Sequence, residues 1–455
     1  MKVKKINIFI ILIYIISIII FNIHIEQYQS YVQEFPDEYS HIAYIAYLEQ
    51  TGKIIPEFDK MQEIDKYKEH LKKYQMEQKN KKEDTNEIMN ENTTSFLEGT
   101  TNHLGHPPLY YQLMRIFNLV QVQENGIITY KLKSLRNISQ IISNIALILV
   151  FIYAYRNLKS VTGNFIFSII LVNIPLLPYT SGAISNDVLS FLGLSIFLLG
   201  TDNLIKKQRE YITYILIAIG VFICMMNKVT TGAILIISIA ILLIYLVIKE
   251  KNLKFILNKK FFVTLPIYII ILVYYIIIFQ RYGTIQPTIQ LLNNEYYKTT
   301  SFYNSTIYAK AYSLKMYAEI YWDKFIKYWA GYNYGKSFPQ HEFLESLVSG
   351  LIFVFPIISL ILTALKKKQV DILNLSICIG IYGAIAIQFT RQYIEFKTSS
   401  GYLGGYHSRY YLCGMSAFII LISRIVDNEK NKKIKITGSI FALLYATLMQ
   451  WILLK

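Results

Sequence analysis

The chain has 455 residues, 53% of them hydrophobic, and a formal net charge of +16. Several apolar runs reach the roughly 18–20 residues needed to cross a bilayer, which excludes a soluble α/β enzyme, whose buried strands run only about 4–8 residues. In a soluble protein the positive balance would suggest nucleic acid. Here it is distributed between apolar spans, so the membrane accounts for it and no nucleic-acid partner is expected.

Read in chain order, Lys2, Lys4 and Lys5 precede a first span near Ile6–Ile23. Asn22-Ile23-His24-Ile25-Glu26 follows in place of a small-residue cleavage site, so the run is expected to stay as an uncleaved helix. A polar loop, 24–136, comes next. Within it Pro36-Asp37-Glu38-Tyr39-Ser40-His41 opens a helical pattern with Ile42, Ile45 and Leu48 on one face, ending at Thr51-Gly52. The segment 60–95 mixes charges with few apolar residues, which suits a solvated helix or a mobile insertion, either a lid or a decoration. His103-Leu104-Gly105-His106-Pro107-Pro108 then opens another helix, with proline where a first turn tolerates it and His106 at the N-terminus. Leu109, Leu113, Ile116 and Phe117 give that helix an apolar stripe suited to lying on the membrane.

Further spans are expected near 137–154, 163–181, 187–204, 211–227, 229–248, 261–279, 345–364, 371–390, 410–426 and 436–453. The fold class is therefore an all-α polytopic membrane protein of about eleven transmembrane helices in one domain, 1–455. Basic residues fall in alternate loops: Arg156 and Lys159, then Lys206, Lys207 and Arg209, then Lys249 to Lys260, Lys366 to Lys368, and Arg424 to Lys435. This orients the N-terminus to the cytoplasm of a cell membrane and sends the 24–136, 280–344 and 391–409 loops to the extracytoplasmic side. Cys224, Cys378 and Cys413 lie in or beside spans, and no disulfide framework is expected.

The residues able to do chemistry gather on that outer side. Asp37 and Glu38 could simply complement a helix dipole, or one could act as a general base. His41 lies one turn on, and Asp37, Glu38 and His41 could together hold a divalent cation, although one His with two carboxylates is a weak metal signal. Ser185-Asn186-Asp187 puts an acid where membrane depth makes it costly unless it is paired or hydrated. Lys228 and Arg409 are cations at outer helix ends, where the positive-inside rule disfavours them, and a lipid phosphate would suit them. Snorkelling to headgroups is the plainer alternative. Tyr317, Tyr321, Trp322, Tyr328, Trp329, Tyr332 and Tyr334 make the 280–344 loop aromatic, as in an interfacial belt. Nucleotide-binding, HExxH and CxxC motifs are lacking, so energy for chemistry must come from a preactivated substrate.

Taken together these blocks resemble the GT-C-fold membrane glycosyltransferases, relatives of protein O-mannosyltransferases and of aminoarabinose transferases. The resemblance is carried in order by Pro36-Asp37-Glu38-Tyr39-Ser40-His41, His106-Pro107-Pro108-Leu109-Tyr110-Tyr111, Ser185-Asn186-Asp187, Asn227-Lys228, Trp329-Ala330-Gly331-Tyr332-Asn333-Tyr334 and Ser408-Arg409-Tyr410. Asn227 stands where the family has Thr, and Ser408 where it has Gly. The resemblance implies an inverting transfer from a polyprenyl-phosphate-linked sugar to a hydroxyl of a glycan, lipid or protein acceptor. It makes Asp37 the base, gives Lys228 and Arg409 the phosphate, and leaves Glu38, His41, His106, Asp187 and Tyr410 to position substrates or a cation. A divalent metal stays open, and no other cofactor is implied. A transporter or flippase of lipid-linked saccharides is the competing class; it commonly shows internal repeats, and none is visible. A catalytically inactive relative is the third.

Overall fold

The computed structural model describes residues 7–32, 34–65, 92–208, 210–251, 258–303, 312–329, 342–365, 371–400 and 404–451. It is a helical bundle. In chain order the helices are α1 (Ile8–Tyr31), α2 (Glu38–Thr51), α3 (Leu109–Ile116), α4 (Leu132–Asn157), α5 (Val161–Val172), α6 (Leu176–Ser181), α7 (Asp187–Ile205) and α8 (Tyr211–Asn227). There follow α9 (Val229–Glu250), α10 (Lys259–Tyr282), α11 (Leu314–Trp329), α12 (Glu342–Leu365), α13 (Ile372–Glu395), α14 (Met415–Asp427) and α15 (Lys432–Trp451). Among the described residues, seven helical segments are long and apolar enough to cross a bilayer, built on α1, α4, α7, α9, α10, α13 and α14. This is a multi-pass membrane protein by length and composition. Most of the 60–95 insertion, residues 66–91, and the 330–334 part of the aromatic block lie outside the described residues.

Two expectations are corrected. The third span, read as one segment over 163–181, is broken. α5 has only 12 residues, about 18 Å at 1.5 Å per residue, and a turn over Asn173-Ile174-Pro175 separates it from α6. Pro175 supplies no N–H to a continuing helix. Asn173 and Ile174 are buried, so protein encloses the irregular backbone.

The all-α reading also omitted a small antiparallel sheet in the first loop. Its strands are β1 (Asn92–Ser95), β2 (Val120–Val122) and β3 (Ile127–Tyr130), ordered β1-β3-β2, with Thr93 and Gln121 both opposite Thr129. β-Branched residues favour this pairing, and Asn125-Gly126, with Gly126 at φ +78°, closes the hairpin. The expected apolar stripe of α3 is divided: Ile116 and the following Phe117 are exposed, whereas Leu109 and Leu113 pack against the core alongside buried Tyr110, Tyr111 and Met114.

The bundle brings α7 and α8 into close contact, and glycine makes that possible. A Cβ on Gly220 would lie 2.6 Å from the backbone nitrogen of Phe197, and one on Gly200 would lie 2.8 Å from that of Ile217. Small residues at helix contacts let backbones approach in this way. The consequence lies at one end of the pair: Asp187 begins α7, and Lys228 directly follows α8. At the other end, Arg156 pairs with Asp202 at 3.2 Å, and Arg424 with Asp371. We expect Gly220→Val to force α7 and α8 apart, lowering the detergent melting temperature well below that of wild type; an unchanged melt would show that the contact is not sterically tight.

Candidate functional site

One cavity of about 240 Å³ gathers most of the polar residues singled out in the sequence. Asp37, His41, His106, Asp187, Lys228, Arg409 and Tyr410 all line it. Glu38 is absent from its wall.

The reason lies in the backbone between α1 and α2. Asp37 sits at φ +63°, the left-handed region that asparagine, aspartate and glycine visit most readily. Its side chain makes no capping hydrogen bond to α2. Asp37 therefore occupies the cap position without doing a cap's work: its Oδ2 accepts from the Arg409 guanidinium, and its Oδ1 lies 3.5 Å from His103 Nε2. The strained turn sends the next residue the other way. Glu38 is 2% exposed and accepts from Arg136 through Nε at 2.8 Å and Nη2 at 2.6 Å, a two-pronged pair. It also accepts from the Ile184 amide at 3.2 Å and the Phe35 amide at 3.3 Å. Glu38 thus ties the first loop to α4 and to the turn before α7. Asp37, Glu38 and His41 do not converge as a cation trio, and among the described residues no group of three His, Cys, Asp or Glu is arranged to hold a metal.

The Lys228 ammonium bonds Asp187 Oδ1 and stands 4.3 Å from the Tyr410 ring centre. Arg409 also approaches Asp187, at 3.9 Å, and its Nη1 donates to the Pro36 carbonyl at 3.4 Å. Asn227 explains how the turn before α9 is held. Its amide donates to the Asn186 carbonyl at 2.6 Å and to Ser190 Oγ at 2.7 Å, locking the end of α8 to the start of α7.

Burial would push the Asp37 carboxyl up, but the Arg409 guanidinium and His103 outweigh it and hold it well below the usual carboxylate range. His103 lies between two acids, with Nδ1 3.1 Å from Glu63 Oε1. Burial alone would favour neutral imidazole, yet Asp37 and Glu63 raise it to about 10. Glu63 is fixed in turn by a 2.8 Å bond from Ser40 Oγ. His41 behaves oppositely: burial lowers it to about 3, leaving it neutral beside the Tyr111 hydroxyl, 3.0 Å away. His106, pushed well below its ordinary value chiefly by burial, has a buried Nδ1 with no hydrogen-bond partner in the described structure.

His103, Glu63 and Arg136 were not singled out from the sequence. Arg136 was within reach, because the charge pattern of the sequence assigns it, like Lys228 and Arg409, to a span end where cations are disfavoured. Glu63 lay in the mixed-charge stretch, and only the fold carries it to His103. No family model, curated protein or solved structure matches the chain.

Two outcomes follow. Arg136→Ala leaves Glu38 buried and unpaired, and removing one partner of a buried pair costs about 3–5 kcal/mol, so a chemical or thermal unfolding series should show a large loss. A loss under about 1 kcal/mol would mean that Glu38 is not buried as a charge. The His103 shift is upward, so its stabilisation is complete below the ordinary value of 6.5 and is lost as pH rises through about 10. Melting curves of wild type and His103→Gln should therefore converge over that interval, and a gap independent of pH would contradict a charged His103.

Proposed function

We propose that this protein is an integral-membrane glycosyltransferase of the GT-C type, using a lipid-phosphate-linked sugar on the extracytoplasmic side. The single observation that carries the reading is one cavity lined at once by an ionised carboxylate, Asp37, and by two basic side chains, Lys228 and Arg409, at the end of the bundle away from the Arg156 and Arg424 pairs. That combination matches a reaction whose energy is already stored in the donor. The protein must supply a base, orientation and a clamp for developing phosphate charge.

In this scheme the acceptor hydroxyl gives its proton to Asp37 as its oxygen forms a bond to the anomeric carbon. The bond from that carbon to the phosphate oxygen breaks, and the electron pair leaves with the lipid phosphate. Configuration at carbon inverts. In the structure both cations are engaged, Arg409 with Asp37 and Lys228 with Asp187. An arriving phosphate competes for them. As Arg409 turns to the phosphate, Asp37 loses the partner that most depresses its basicity, so donor binding itself raises the base toward its working range. His103 remains on the other carboxylate oxygen and fixes its direction.

Asp37→Asn tests this cleanly, because asparagine tolerates the left-handed backbone and the variant should fold. Transfer from a polyprenyl-phosphate sugar should fall by about 10²–10⁴-fold, with donor binding retained. Near-normal turnover in a folded variant rules Asp37 out as the base. Arg409→Lys keeps the charge but loses the fork, and should raise KM for the donor. An unchanged KM would remove Arg409 from the phosphate site.

A further inference from the structure

A further cation lines the same cavity and takes no part in the scheme above. Arg391 lies in the last turns of α13. Gln388, Arg391, Gln392 and Glu395, spaced at helical intervals, give this apolar helix one polar face, and that face lines the cavity. Ala386, Ile387, Thr390 and Ile394 line an adjoining apolar groove on the outside of the bundle, and Arg391 lines that groove too. Ile387 and Ile394 are 57% and 55% exposed. Arg391 is the residue shared by the two surfaces.

Its pairing differs from that of Lys228 and Arg409, which are each held by a carboxylate. Arg391 is exposed and has no hydrogen-bond or ion-pair partner among the described residues. The nearest acid along the helix, Glu395, instead accepts from Gln392 at 3.4 Å. A guanidinium at a seam between polar cavity and lipid-facing groove suits an amphiphile with an anionic head and an apolar tail. Such a molecule can bind Arg391 without first breaking an internal ion pair.

We propose that Arg391 is the capture site for a membrane-resident lipid phosphate. The head is held at Arg391 and the proximal chain lies in the groove along α13, before the phosphate passes inward to Lys228 and Arg409. The inference rests on the lipid-phosphate reading of the cavity and adds the wall by which that lipid arrives.

The test measures binding of a long-chain prenyl phosphate, with inorganic phosphate as the chainless probe, to the full-length protein in nanodiscs of zwitterionic lipid. Wild type, Arg391→Gln and Arg391→Lys are compared. The exposed, unpaired position of Arg391 leaves folding undisturbed. We expect Arg391→Gln to weaken prenyl phosphate by about tenfold, with Arg391→Lys losing less, and inorganic phosphate to bind far more weakly in all three. Equal affinity of wild type and Arg391→Gln overturns the capture role while leaving the clamp at Lys228 and Arg409 standing. Equal binding of inorganic and prenyl phosphate overturns the groove. Equally effective displacement by phosphatidylglycerol means generic attraction to anionic lipid and also overturns the proposal. If wild type binds no prenyl phosphate at all, the glycosyltransferase reading fails with it.

Discussion

The site depends on pairing between charges that low polarity would otherwise forbid. Glu38 with Arg136, Asp187 with Lys228, and Asp37 with Arg409 join the first loop, α4, the start of α7, the start of α9 and the approach to α14. An ionised group buried alone costs several kcal/mol, so each pair is kept only where its geometry is nearly complete. Glu38 meets that demand by accepting from four donors, two on Arg136 and the Ile184 and Phe35 amides. The close approach of α7 and α8 meets it for Lys228. Such pairs are weak contributors to net stability but strong constraints on arrangement, since a misplaced helix end strands a charge.

The pairs are not equivalent. Glu38 and Arg136 are both sealed from the cavity, whereas the Asp37 side chain remains 30% exposed. The first is a tie and the second is available to exchange partners. His103 separates these behaviours: it secures one oxygen of Asp37 and leaves the other to Arg409. A carboxylate steadied by one partner and releasable from the other is better placed for proton transfer than one held rigidly on both sides.

Much of this was legible from charge and hydropathy. Lys228 and Arg409 stood out as cations at disfavoured helix ends, and the structure places both at one cavity with Asp37. Arg136 and Arg391 carried the same signal at the ends of other spans. What could not be read is direction. Adjacent Asp37 and Glu38 look interchangeable in a sequence, and only the left-handed turn sends one to the cavity and the other to Arg136. The break after α5 was signalled by Pro175 within an otherwise unbroken apolar run, and the β-hairpin by Asn125-Gly126.

The charged groups of the cluster also sum to neutrality. Asp37, Glu38, Glu63 and Asp187 are matched by Arg136, Lys228, Arg409 and a protonated His103. For the proposed reaction this has an accounting consequence. A sugar phosphodiester brings one negative charge, while the lipid phosphate left behind carries up to two. The additional charge arises at the moment Asp37 accepts a proton and becomes neutral. The cluster and its ligand therefore keep a constant total through the transfer, and the repulsion that would expel the product appears only when that proton departs.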